Sequence, residues 1–130
     1  GATLDGQKAE MTIKVTWAPG KHMLFFNAHW SQPDLKSLGS GIFGWDAEEE
    51  KIHTSEFWDN NVYHHRHFTI KSEKVLEGEE FAGVITDGKP IRCKAAFRIL
   101  NADEWTFETS DVVIDGQPQP GGAQLKFRRK

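Results

Sequence analysis

Three histidines within four positions, His64, His65 and His67, are the densest group of chemically versatile side chains in the sequence. On a strand, His65 and His67 share one face and His64 takes the other. Two imidazoles at i and i+2 can hold a transition metal if a third ligand comes from a neighbouring strand. His29, His53 or Glu56 could serve. Such a site needs neutral imidazole and would fail below the ordinary histidine pKa of roughly 6.5. The plainer reading is a half-exposed polar strand whose histidines bond locally. No complete metal-binding spacing accompanies them, so no resident cofactor is expected, and a transition metal at His65 and His67 is the lesser alternative.

Five tryptophans, Trp17, Trp30, Trp45, Trp58 and Trp105, are dispersed along the chain. In an all-β domain they either fill the core or line a ligand cavity. The cavity version takes Trp17 and Trp58 as apolar contacts and Asn27, His29 and Glu56 as polar anchors. Asn27 and His29 share a face with Met23 and Phe25, and a polar pair on an apolar face needs partners if buried. Acid–base chemistry would pair Glu56 with His29 or His65. Cys93 lies on the apolar face of a strand, where a free thiol behaves as a small hydrophobe. No nucleophile elbow, Walker loop or Rossmann glycine pattern occurs.

The elements that must position these residues are strands. Alternation of period two recurs, and no stretch keeps helical spacing over three turns. Strands are expected at 11–17, 23–30, 41–46, 51–58, 62–71, 74–86 (with a bulge at Gly78), 91–99, 105–114 (with a bend between Ser110 and Asp111) and 124–129. Turns fall at Pro19-Gly20, Asp59-Asn61, Asp87-Gly88 and Asp115-Gly116. The segment 31–40 reads as a longer loop, and 117–123 as irregular. Short turns make neighbours antiparallel, so eight or nine strands form a meander. Closing it into a barrel removes its exposed edges; a β-sandwich is the alternative.

The 130 residues suit one domain with an ample core. One cysteine excludes an intrachain disulfide, and a net charge of -3 argues against nucleic acid or an anionic membrane as partner. No apolar run reaches the roughly 20 residues of a membrane span, so a soluble domain is expected. The basic end, Lys126 and Arg128 to Lys130, reads as a solvated tail. The chain begins at Gly1 rather than Met, which suggests that an upstream segment was removed and leaves localisation open.

Three blocks resemble a bacterial family of unknown function with a lipocalin-like domain. GIFGWDAEEEKIHTSEFWDN (41–60) is similar to its GW-turn hairpin. VITDGKPIRCKAAFRILNADEWTFETSD (84–111) is similar to its DGK hairpin, acidic turn and aromatic strand. VIDGQPQP (113–120) is similar to its closing segment. Two departures are DNNVYHHRH, where relatives are rich in Gly and Ser, and Val112, where many have Arg. The resemblance implies a lipocalin-like barrel, sometimes C-terminal to a SnoaL-like domain, and no particular reaction. The expected function is binding of a small apolar or aromatic ligand, or service as an accessory domain. The alternatives are a metal-assisted or acid–base enzyme using the His cluster, and a structural or homodimerising module.

Overall fold

A computed structural model describes residues 2–4 and 7–130, with side chains from Ala9 onward. The expectation at Gly1 lies outside the described residues. Eleven strands run in order: β1 (Ala2–Leu4), β2 (Gln7–Trp17), β3 (Met23–Gln32), β4 (Leu35–Asp46), β5 (Lys51–Trp58), β6 (Tyr63–Ser72), β7 (Val75–Val84), β8 (Ile91–Ile99), β9 (Glu104–Ile114), β10 (Gln117–Pro118) and β11 (Gln124–Arg128). The described residues contain no helix.

All eleven belong to one antiparallel sheet. From β1 to β9 each strand pairs with the next, as short connections require. β10 folds back on β9 at Ile114 and Val113. β11 pairs with β9 along its length and with β1 through Gln124 and Leu125.

The expected loop at 31–40 is instead a hairpin. Gln32 pairs with Leu35 across Pro33-Asp34, and β4 runs back from there as a twelve-residue strand. Its Ser, Gly and Lys content hid it, because glycine within a strand usually signals a break. Here Gly39 and Gly41 make room for rings. A Cβ on Gly39 would stand 2.5 Å from the Trp58 indole, and one on Gly41 would stand 2.5 Å from the Phe26 ring. The 105–114 stretch is one strand, with Asp111 at φ 49° marking its bend.

The inner face is aromatic. Rings of Phe26, Phe43, Phe97, Phe68 and Phe107 form a run of tilted contacts between 4.8 and 6.4 Å, and Trp105 stacks on Phe127 at 4.0 Å. Such pairs add about 0.5–1.5 kcal/mol each beyond their buried area. Ala9, Leu125 and Phe127 form a tight core cluster beside Met11, Ile13 and Trp30. Among the described residues, Phe68 is the one large side chain less than 2% exposed. Phe26, Phe43, Phe97, Phe107, Trp105 and Phe127 line a cavity on this face.

A candidate ligand cavity with an ionic wall

The cavity has a volume of about 590 Å³ and takes side chains from β2 to β6, β8, β9 and β11. This lies within the range of about 300–1,000 Å³ typical of small-molecule sites. Period-two alternation explains the lining. Met11, Ile13 and Val15 on β2 face in together, as do Phe26 and Trp30 on β3. Glu56 and Trp58 face in from β5, and His64 and Arg66 from β6.

The charged residues form one bonded group. Arg66 donates from Nη1 to Glu56 Oε1 at 3.2 Å and from Nε to Glu80 Oε2 at 3.2 Å. His64 Nδ1 lies 2.8 Å from Glu80 Oε1, and its Nε2 lies 3.9 Å from Glu56 Oε1. The Trp58 indole N–H donates to Glu56 Oε1 at 3.3 Å, and the Cys93 thiol donates to Glu80 Oε2 at 3.3 Å. The Glu80 side chain is 0% exposed. A buried carboxylate is tolerated only when its oxygens are bonded and its charge is matched, and these partners meet both conditions. Burial opposes the Arg66 charge, but Glu56 and Glu80 outweigh it and hold the guanidinium above its ordinary pKa. Arg66 also lies 5.4 Å from the centre of the Phe107 ring. Burial, with the Glu80 carboxylate adding, pushes the Cys93 thiol up to about 12.

Two local irregularities flank Glu80. Phe81 is an extra residue in β7: His65 pairs with Ala82 while Arg66 pairs with Glu80. Gly83, opposite His64, leaves the path clear, since a Cβ there would fall 1.9 Å from Glu80 Oε1.

Of the five residues expected at a ligand site, Glu56 and Trp58 line the cavity. The other three do not. Asn27 and His29 are on the opposite face of β3, exposed, with Asn27 Oδ1 accepting from Ser40 Oγ at 2.7 Å. The expectation that they share a face with Met23 and Phe25 is met, but that face is the outer one. Trp17, at the end of β2, is 60% exposed. The tryptophans divide: Trp30, Trp58 and Trp105 line the cavity, while Trp17 and Trp45, at the ends of β2 and β4, are 60% and 52% exposed.

His65 and His67 also face outward. His65 Nδ1 is bonded to Ser55 Oγ at 2.8 Å. Both rings stack on Phe81, at 6.1 and 5.4 Å. Glu56, a candidate third ligand, is on the inner face, away from them. Among the described residues, the one group of three side chains with ligating atoms within 4.8 Å of one another is Asp46, Glu49 and His53, on the β4–β5 hairpin. There Asp46 Oδ1 already accepts the Glu48 and Glu49 amides. The acid–base pairs of Glu56 with His29 or His65 are not formed, because those histidines occupy the outer face. The histidine beside Glu56 is His64.

Sequence reasoning named His64 only as a member of the histidine cluster and passed over Arg66 and Glu80. A signal for His64 and Arg66 was present: they share a strand face with Val62 and Phe68. Charge on an apolar face marks either a paired interior group or an error of register. Glu80 had no such signal, because the extra residue at Phe81 breaks the alternation of β7.

No protein-family model matches the chain, and no curated protein matches it.

Proposed function

We propose that the chain is a lipocalin-like β-barrel that takes a small apolar or aromatic molecule into its cavity. The observation that carries this reading is a cavity of about 590 Å³ walled by Trp, Phe and aliphatic side chains. A monomeric domain of this size gains more stability by filling its interior than by leaving it open. An open aromatic interior with a single charged group in its wall is the usual form of a small-molecule site. Closure of the sheet into a barrel is supported by the pairing of β11 with β9 on one side and β1 on the other. The likeness of the hairpin at 41–60 to lipocalin-like proteins agrees with both.

The test uses the tryptophans already in the wall. Lipophilic compounds that enter should shift or quench emission from Trp30, Trp58 and Trp105 saturably, with a stoichiometry of one. A panel of flat aromatic and alkyl compounds producing no saturable change would overturn the reading.

A further inference from the structure

We infer that the cavity selects molecules whose polar end is a cationic hydrogen-bond donor, a primary amine above all, rather than a carboxylate. The inference rests on the ligand-binding reading above and adds the chemistry of the head group. Two carboxylates, Glu56 and Glu80, face one guanidinium, Arg66, and one imidazole, His64. Glu80 is fully buried, with both oxygens engaged by His64, Arg66 and Cys93. Glu56 is the carboxylate that lines the cavity, with its side chain 16% exposed. Its Oε1 takes Arg66 and Trp58, and no hydrogen bond among the described residues reaches its Oε2.

A carboxylate only accepts, so His64 Nδ1 donates to Glu80. Asn60 Oδ1, elsewhere in the cavity lining, is a buried acceptor without a partner. Glu56 Oε2 and Asn60 Oδ1 are thus acceptors left for a donor on the ligand. The faces of Trp30, Trp58 and Phe43, which carry negative quadrupole charge, line the same space and favour a cation. A carboxylate entering here would meet Glu56 with like charge.

The experiment compares n-decylamine, 1-decanol and decanoate, which share one apolar chain, by titration calorimetry against the wild-type chain and Glu56→Gln. A charge-assisted hydrogen bond is worth enough for roughly a 10- to 100-fold preference. Decylamine should bind wild type at least about tenfold more tightly than either competitor, and E56Q should bring the amine and the alcohol together. Decanoate binding as well as decylamine, or an unchanged ranking in E56Q, overturns the inference while leaving the cavity reading intact. Absence of binding by all three, together with a flat fluorescence panel, overturns both. The wild-type ranking needs no variant to fold.

Discussion

Replacing Arg66 with Met removes the only guanidinium in the cavity wall and leaves the Glu80 carboxylate, 0% exposed, without its counter-charge. Breaking one partner of a buried ion pair costs about 3–5 kcal/mol, because the surviving charge stays desolvated. Total stability for such a domain is about 5–15 kcal/mol, so the loss is a large fraction of it. At roughly 3–5 °C per kcal/mol for a chain of this size, the melting temperature should fall by about 10–20 °C. Urea titration followed by far-UV circular dichroism measures the loss directly. The companion variant Arg66→Met/Glu80→Gln removes the orphaned charge but keeps an acceptor for His64. It should recover about 2 kcal/mol or more relative to R66M, so the double variant is less unstable than the two single losses added together. The reasoning is refuted if R66M costs less than about 1 kcal/mol with the fold intact, or if the two substitutions are additive.

Two further outcomes follow from neighbouring features. With its thiol at about 12, Cys93 should be almost wholly protonated at pH 8. A disulfide reagent should modify it about a thousandfold more slowly than in the urea-unfolded chain; equal rates would contradict its burial. Gly39→Ala places a methyl group 2.5 Å from the Trp58 indole, which pushes the ring toward the cavity and strains its bond to Glu56. Decylamine affinity should drop with a change in tryptophan emission, and unchanged affinity would mean that Trp58 does not bound the occupied space.

Most of the strand order was legible because alternation and turn chemistry are local. Lys51–Trp58 and Ile91–Ile99 follow from pattern alone, and both are observed. The first half of β4 was not legible. Its glycines report on rings across the sheet, Trp58 and Phe26, and no local rule contains that information. For the cavity, the separation of His64 from His65 and His67 follows from strand geometry, but which face points inward does not. On β3 the two faces are almost equally apolar, and the large side chains Met23 and Phe25 lie outside. Histidines next to one another drew attention to the outer face, whereas the informative residue was Arg66, a lone cation between inward-facing neighbours.

The extra residue at Phe81 bears on how such a chain can change over time. The pairings on either side of it, His65 with Ala82 and Arg66 with Glu80, would be consecutive and regular if Phe81 were absent. A one-codon deletion would therefore leave Glu80 opposite Arg66 and Gly83 opposite His64, and would remove one ring from between His65 and His67 on the outside. The outer stack and the inner ionic group are thus genetically separable. An insertion here can decorate the surface, or a deletion strip it, while Glu80 stays opposite Arg66 and Gly83 opposite His64.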